Sequence, residues 1–212
     1  MKVVEAQKVK DFFINSHKKF KISNNRKEKL SEIVTYIVNN SKENDLKIHL
    51  NFICTHNSRR SQIAQVWATY ASIYFGTPQI KAFSGGTEVT AFHKNTLAAL
   101  ETIGFQFQLI EMNHDNPKYE IKFEDSKTSI LGFSKHYDNP INSKPFIAIT
   151  TCSSAHENCP FIPDAQKRFH LPYVDPKGSD DTDEMTKAYL QTNQQIASEL
   201  FYIFSEVKKG DY

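Results

Sequence analysis

The residues best suited to chemistry in this chain lie in one short run, Cys54-Thr55-His56-Asn57-Ser58-Arg59-Arg60-Ser61. An apolar stretch, 50–53, precedes the run, and a pattern typical of a helix, 62–74, follows it. A loop between a strand and a helix points several backbone N–H groups at one spot and places the thiol at the positive end of the helix dipole. We therefore expect the loop to bind a tetrahedral oxyanion and to make Cys54 a nucleophile toward that anion.

The side chains of the run suit an anion site. A guanidinium such as that of Arg60 offers a planar fork that binds two oxygens at once. Asn57 tolerates unusual backbone angles, and Ser61 is placed to cap the helix and to donate to the sulfur. A buried thiol beside a surface arginine is the competing interpretation. The predicted oxyanion-binding set is Thr55, His56, Asn57, Ser58, Arg59, Arg60 and Ser61.

The composition of the chain restricts the function classes. Its 212 residues, 39% hydrophobic and 24% charged, are typical of a globular protein. A formal net charge of +2 without a basic block argues against nucleic acid as a partner, and no apolar run is long enough to span a membrane. Residues 1–13 carry charges throughout and lack the apolar core of a signal peptide, which predicts a cytoplasmic protein. In that reducing compartment the three cysteines are expected to be catalytic, redox-active or metal-binding.

The elements that must position the loop alternate along the chain. Residues 1–45 are rich in Lys, Asn and Ser, and their apolar positions recur at helical spacing, which predicts two helices that either pack on the main domain or bind a partner. After Leu46, alternating strands and helices predict a mostly parallel sheet covered by helices on both faces, with ligands at the carboxyl ends of its strands. We predict helices at about 5–16, 25–40, 61–75, 93–104 and 182–208, strands at 47–53, 79–84, 106–111, 145–150 and 168–171, and a hairpin within 118–134.

The run at Cys54 resembles the phosphate-binding loop of the low-molecular-weight protein tyrosine phosphatases and of the thioredoxin-coupled arsenate reductases built on the same fold. The resemblance implies an open, mostly parallel, four-stranded sheet in an α/β domain over 46–212. Compared with the family, residues 1–45 are an extra helical segment, and residues at about 112–144 are an insertion. It also implies a catalytic acid in an Asp-Pro dipeptide, which is Asp175-Pro176 here. The chain departs from the family pattern at His56, usually a glycine, and at Arg59, often a cysteine.

The other two cysteines fall in the segment Thr151-Cys152-Ser153-Ser154-Ala155-His156-Glu157-Asn158-Cys159-Pro160. This segment is similar to the redox segment of the arsenate reductases. The resemblance implies that Cys152 attacks Cys54, that Cys159 then attacks Cys152, and that thioredoxin reduces the final disulfide. A phosphatase has no need of such a pair. Two alternatives stay open: a pair of inert core thiols, or a zinc site made of Cys152, His156, Cys159 and His170.

Two further segments bear on the substrate and on a bound ion. The residues after Asp175-Pro176, Lys177-Gly178-Ser179-Asp180, lack the aromatic side chains that phosphotyrosine phosphatases place there, which favours a small inorganic oxyanion. The segment Phe83-Ser84-Gly85-Gly86-Thr87-Glu88 resembles the small-residue loop beside the family's active site. In some arsenate reductases such a loop helps to bind potassium, which would involve Asn57 and Ser84 here, but Gln65 stands where an acidic ligand would be expected.

The sequence leads to one preferred function and two alternatives. We expect reduction of arsenate to arsenite by Cys54 with a Cys152/Cys159 disulfide relay, without a tightly bound cofactor and with thioredoxin as electron donor. A low-molecular-weight phosphatase that uses Cys54, Arg60 and Asp175 alone, on a phosphate-type oxyanion substrate, is the first alternative. A non-catalytic oxyanion-binding or interaction protein is the second.

Overall fold

A four-stranded sheet lies at the centre of the fold. We describe it from a computed structural model that covers residues 7–44, 47–124, 126–158 and 161–210. Each predicted helix and strand is found, with ends that differ by a few residues, and within these ranges no helix is long and apolar enough to cross a membrane. In chain order the elements are α1 (Lys8–Lys19), α2 (Asn24–Asn44), β1 (Ile48–Cys54), α3 (Arg60–Tyr74), β2 (Ile80–Gly86), α4 (Lys94–Ile103), β3 (Gln106–Glu111), β4 (Lys118–Lys122), β5 (Ile130–Gly132), β6 (Phe146–Thr150), α5 (Ser153–Asn158), β7 (Ala165–His170), a 3-10 turn (Pro176–Ser179) and α6 (Met185–Gly210).

The central sheet has the strand order β2-β1-β6-β7, and every neighbouring pair is parallel. All residues of β6 are buried, as expected of a parallel strand covered on both faces. Because the strands are parallel, their carboxyl ends share one edge, and Cys54 and the segment after Thr150 lie on this edge. The predicted four-stranded parallel sheet is confirmed.

Helices pack on both faces of this sheet. Side chains alternate along β1, so that Phe52 points to one face and Ile53 to the other. Phe52 belongs to the large core that includes residues of α2, α3 and α6, whereas Ile53 belongs to a smaller cluster with Tyr137 and with Ala155 of the short α5. One face therefore lies under the long helices, and the other under α5 and the segment around Tyr137.

The two N-terminal helices pack into the main core. Phe13 of α1 is fully buried, and its ring stacks on Trp67 of α3 at a centroid distance of 5.6 Å. A buried ion pair joins α2 to α6, because Nε and Nη2 of Arg26 donate to the two carboxylate oxygens of Glu199 at 2.9 and 2.8 Å. These helices therefore pack on the main domain, which is one of the two roles predicted for them. Residues 45 and 46, at the predicted domain boundary, lie outside the described residues.

A second, antiparallel sheet has the strand order β3-β4-β5. It confirms the predicted hairpin, which β4 and β5 form, and it shows that β3 pairs with β4 instead of joining the parallel sheet. After β5 the chain returns to the main sheet, where the Asn51 amide donates to the carbonyl of Tyr137 at 2.9 Å. The return places the residues just before Tyr137 beside the Cys54 loop.

Candidate active site

The loop between β1 and α3 has the form of an anion site. Cys54 ends β1, and α3 begins at Arg60. The backbone N–H groups of residues 56–59 make no hydrogen bond within the described chain, so they remain available to a ligand. Asn57 has a φ of +46°, which its short polar side chain tolerates. Its Oδ1 accepts hydrogen bonds from the backbone N–H of Lys135 at 3.0 Å and from the amide of Gln62 at 3.1 Å, which hold the turn in place.

The Cys54 thiol is buried and has a hydroxyl partner. Its Sγ lies 3.0 Å from Oγ of Ser61. The same Oγ accepts a hydrogen bond from the Asn57 amide at 2.8 Å, which leaves the hydroxyl hydrogen free to point at the sulfur. A hydrogen bond donated to the sulfur stabilises the thiolate form. The predicted capping role of Ser61 is wrong, because Arg59 is the N-cap residue, no side chain caps this end, and Ser61 lies within the first turn.

Arg60 and Asp175 meet beside this loop, although they are far apart in the sequence. Nη1 of Arg60 donates to the carbonyl of Tyr173 at 3.1 Å, and Nη2 donates to Oδ2 of Asp175 at 2.5 Å. Nε of Arg60 is buried and has no hydrogen-bond partner among the described residues. A buried donor without a partner is costly, and an oxyanion in the loop would supply the missing acceptor. The other carboxylate oxygen of Asp175 accepts from the backbone N–H of Lys177 at 3.1 Å, so that Asp175 caps the 3-10 turn.

Arg59 is engaged by the protein itself. Its Nη2 donates to Oδ2 of Asp180 at 2.6 Å, and its Nε donates to the hydroxyl of Tyr189 at 2.7 Å. Oδ1 of Asp180 also accepts from Tyr189 and from the amide of Asn95. Burial alone would lower the pKa of Arg59, but its hydrogen bonds to Tyr189 and Asp180, together with their electrostatic attraction, outweigh burial and raise it. In this arrangement Arg59 can serve an anion through its backbone N–H, while its guanidinium joins the start of α3 to α6 and to the turn after Asp175.

His56 stands at the rim of the loop without closing it. It is absent from the described residues with positive φ, so its side chain fits where the family usually has glycine. The ring is partly exposed, and its Nε2 lies 3.1 Å from Oε2 of Glu88. The carbonyl of His56 accepts a hydrogen bond from the Ser134 hydroxyl at 2.8 Å.

The small-residue segment after β2 supports the loop from the side. The backbone N–H of Thr87 donates to the carbonyl of Cys54 at 3.2 Å, and that of Glu88 donates to the carbonyl of Thr55 at 2.8 Å. A Cβ on Gly86 would lie 2.6 Å from the Thr55 carbonyl oxygen and 2.8 Å from the Asn57 nitrogen. Only glycine allows this close approach, which explains the small residues at this point.

Cys152 lies at the neighbouring strand end. Ile53 of β1 pairs with Thr150 of β6, so both thiols follow the carboxyl ends of adjacent strands. Cys152 is buried, its Sγ is 3.6 Å from Oγ1 of Thr55, and it accepts a hydrogen bond from the backbone N–H of Ala155 at 3.4 Å. The segment that follows is the short helix α5, on which Ala155 is buried and Ser153, Ser154 and Glu157 are exposed. Cys159 lies outside the described residues.

The two histidines of the zinc alternative stack on each other. The rings of His156 and His170 have centroids 4.0 Å apart, and Nδ1 of each lies near Oγ1 of Thr150, at 3.3 and 3.0 Å. Burial lowers the pKa of both rings, and the nearby Arg168 guanidinium lowers it further. In the described ranges no three His, Cys, Asp or Glu side chains are close enough to hold a metal ion.

The side chains at the proposed potassium position do not fit that ion. Oγ of Ser84 donates to Oε1 of Gln65 at 2.5 Å and lies 3.4 Å from Nζ of Lys135. The Asn57 side-chain oxygen already accepts two hydrogen bonds. The proposed potassium position therefore offers neutral oxygen atoms, and the ammonium group of Lys135 lies beside them. The sequence pattern gave no signal for Lys135, because it follows the hairpin at a distance from every motif.

Comparisons with known proteins give one group of relatives by sequence. No protein-family model matches the chain. An arsenate reductase from Bacillus subtilis is 27% identical over 158 residues, which is 74% of this chain and 95% of that protein. An arsenate reductase from Staphylococcus aureus (strain Newman) is 30% identical over 127 residues, and an arsenate reductase 2 from Staphylococcus saprophyticus is 30% identical over 128 residues. Each of these two alignments spans 60% of this chain and 77% of the relative.

Comparison with solved structures supports the fold. The arginine phosphatase YwlE has a TM-score of 0.53 at 14% identity, over 76% of this chain and 97% of its own. A low-molecular-weight protein tyrosine phosphatase from Bacillus subtilis has a TM-score of 0.51 at 14% identity, over 76% of this chain and 98% of its own. These similarities show that the central sheet and its helices have the fold of the low-molecular-weight phosphatases.

Proposed function

Since this chain belongs to the arsenate reductases of the low-molecular-weight protein tyrosine phosphatase superfamily, we propose that it reduces arsenate to arsenite with its own thiols. It is an enzyme of the reductase or the phosphatase type, and its substrate is an oxyanion. The observation that carries this proposal is the position of Cys152. Its sulfur is buried against Thr55 of the oxyanion loop, at the end of the strand next to that of Cys54. Hydrolysis of a phosphate ester has no use for a second thiol at this point.

The first step uses the loop and the acid. Arsenate binds to the free N–H groups of residues 56–59 and to Nε of Arg60, and it replaces the Asp175 carboxylate on that guanidinium. The Cys54 thiolate then attacks arsenic and forms an S–As bond. The As–O bond to a hydroxyl group of arsenate breaks. Asp175, once displaced from Arg60, takes up the thiol proton of Cys54 and gives it to that hydroxyl, which departs as water. Arsenic remains As(V) in this thiol-bound intermediate.

The second step is the reduction. The Cys152 thiolate attacks the Cys54 sulfur, an S–S bond forms, and the S–As bond breaks with its electron pair going to arsenic. Arsenic leaves as As(III), in arsenite, and the two cysteines are oxidised to a disulfide. The Cys159 thiolate next attacks Cys152 and frees Cys54, and the dithiol of thioredoxin reduces the resulting disulfide. The segment between the two cysteines contains α5 and has to rearrange, so that the thiols of Cys152 and Cys159 face first inward and then outward.

This chemistry needs a cellular supply of reducing equivalents, which suits the cytoplasm. The test supplies arsenate, thioredoxin, thioredoxin reductase and NADPH to the wild type and to Cys159→Ser. The wild type should consume NADPH in proportion to arsenite formed. The variant should stop after one turnover with a Cys54–Cys152 disulfide that mass spectrometry identifies. Cys152→Ser is the matched control and should accumulate no disulfide that includes Cys54.

If the wild type consumes no NADPH above background and the Cys159→Ser variant traps no Cys54–Cys152 bond, the reductase proposal is wrong. One observation favours a second function, a phosphatase. A groove of about 540 Å³ lies beside the oxyanion loop, with Phe92 and Tyr119 among its lining residues. It could hold the organic part of a phosphate ester. Hydrolysis of p-nitrophenyl phosphate that survives Cys152→Ser would support the phosphatase, and oxyanion binding without turnover in either assay would support a non-catalytic protein.

A further inference from the structure

A buried lysine lies directly behind the oxyanion loop. Lys135 is 2% exposed, and its Nζ lies 3.4 Å from Oγ of Ser84 and 5.0 Å above the ring of Phe133. None of the described carboxylates forms an ion pair with it, and burial is the sole cause of its lowered pKa, which falls to about 7. Among the residues that the structure describes, the ammonium is therefore held by a hydroxyl and an aromatic face.

The main chain of Lys135 is part of the scaffold of the loop. Its N–H donates to Oδ1 of Asn57 at 3.0 Å, and its carbonyl accepts from the N–H of Gly86 at 2.8 Å. Asn57 in turn donates to Ser61, whose hydroxyl contacts the Cys54 sulfur. A continuous series of hydrogen bonds therefore connects the backbone of this lysine to the nucleophile.

The side chain of Lys135 is connected to the helix that follows the loop. Nζ contacts Ser84, and Ser84 donates to Gln65 of α3 at 2.5 Å. Among the described residues the acceptors around Nζ are neutral, so when Lys135 is protonated no carboxylate offsets its positive charge. A buried charge of this kind is unfavourable for folding, and an apolar side chain of the same length would fill the space at lower cost. A structural role alone does not explain why the residue is a lysine.

We propose that Lys135 is a positioning residue that supplies, from the chain itself, the positive charge behind the oxyanion loop, so that the loop binds its anion without a monovalent metal ion. The geometry that supports this is the ammonium on Ser84, at the place where the side chains do not fit potassium. The charge favours an anion in the loop, and the hydrogen bonds through Ser84 and Asn57 hold the loop in its anion-binding shape. The proposal concerns the Cys54 loop, which the reductase and the phosphatase would share, and it does not depend on the reduction step.

The test compares two substitutions that differ in the space they leave. Lys135→Ala removes the charge and opens a space for a small cation, whereas Lys135→Met removes the charge and fills the space. Arsenate affinity is measured by calorimetry, and alkylation of Cys54 by iodoacetamide is followed by mass spectrometry. Both readouts work whether or not the protein turns arsenate over. Each is measured in potassium chloride, in choline chloride, and in choline chloride with added methylammonium.

The wild type should behave the same in potassium and in choline. Both variants should bind arsenate about tenfold more weakly and alkylate more slowly, as expected for coupling between a charge and a nearby anion site. Methylammonium should restore Lys135→Ala but not Lys135→Met, a difference that a merely structural residue would not produce. Wild-type arsenate affinity in Lys135→Met, or a wild type that requires potassium, overturns the proposal. If Lys135→Ala fails to fold, the affinity of Lys135→Met decides the question.

Discussion

Replacement of Lys135 by methionine should stabilise the protein, and the gain should depend on pH in a defined way. Methionine fills nearly the same space without a charge. Burial lowers the pKa of Lys135 from its ordinary 10.5 to about 7. Between these two pH values the unfolded chain binds a proton that the folded protein releases, so the free energy of unfolding of the wild type rises with pH across this window. Below pH 7 Lys135 is charged in both states, and the folded protein bears the full free-energy cost of burying the ammonium.

The size of the effect follows from the shift. One pKa unit corresponds to about 1.4 kcal/mol, so the shift to about 7 represents a cost of up to about 5 kcal/mol where Lys135 is charged in both states. The same relation makes Lys135→Met more stable than the wild type by about 4 kcal/mol at pH 7 and by about 2 kcal/mol at pH 9. The variant should therefore be more stable than the wild type and bind arsenate more weakly, which is the usual trade between stability and function.

The assay is urea unfolding at several pH values between 6 and 9, with the substitution Lys81→Met as control, since Lys81 is an exposed lysine on β2. The control should leave the free energy of unfolding and its pH dependence as in the wild type. If Lys135→Met and the wild type unfold with equal free energies across this range, the ammonium is not buried in the folded protein, and the energetic argument for its role fails.

Three other substitutions test the packing and the site. Phe13→Ala should lower the free energy of unfolding by about 3–5 kcal/mol in urea titrations, because the ring is fully buried between α1, α3 and α6. Ser61→Ala removes the hydroxyl 3.0 Å from the Cys54 sulfur. It should slow the alkylation of Cys54 by iodoacetamide at neutral pH severalfold. Asp180→Asn removes the carboxylate on Arg59 and should lower the free energy of unfolding by about 2 kcal/mol.

Each of these has a matched control. Phe161 is 78% exposed, so Phe161→Ala should leave stability unchanged, and equal losses from Phe13→Ala and Phe161→Ala would contradict the burial of α1. Ser58 lies in the same loop, but the described hydroxyl partner of the sulfur is that of Ser61, so Ser58→Ala should leave the alkylation rate as in the wild type. Asp181→Asn, next to Asp180, should be neutral because this carboxylate is exposed. A wild-type alkylation rate for Ser61→Ala would show that the hydroxyl does not support the thiolate.

Much of the fold and part of the site could be predicted from local patterns. Alternating apolar runs and helical stripes are local, so the parallel sheet and the helices around it followed from the chain itself. The strand, loop and helix around Cys54 are also contiguous, and the family resemblance added Asp175, which the structure places 2.5 Å from Arg60. The relay through Cys159 stays a prediction, since this residue lies outside the described part of the chain.

What could not be predicted depends on contacts between distant segments. The pairing of β3 with β4 depends on where the inserted chain turns, and the conversion of the polar segment after Cys152 into α5 depends on Ala155 packing under β1. Lys135 looked like any surface lysine, because its burial comes from Ser84 and Phe133 meeting it from two directions. Periodicity and motif spacing contain no information of this kind.

The two adjacent arginines of the loop show most directly why tertiary contacts decide function here. Either one could have been the anion ligand by residue type. Arg59 has both ends of its guanidinium occupied by Asp180 and Tyr189, so it fixes the position of α6 and of the turn that carries Asp175. Arg60 keeps a buried Nε with no hydrogen-bond partner in the described part of the chain, and its contact with Asp175 is one that a stronger oxyanion ligand can replace. The same exchange would release Asp175 as the anion arrives, so that the acid becomes free to take part only when the loop is occupied.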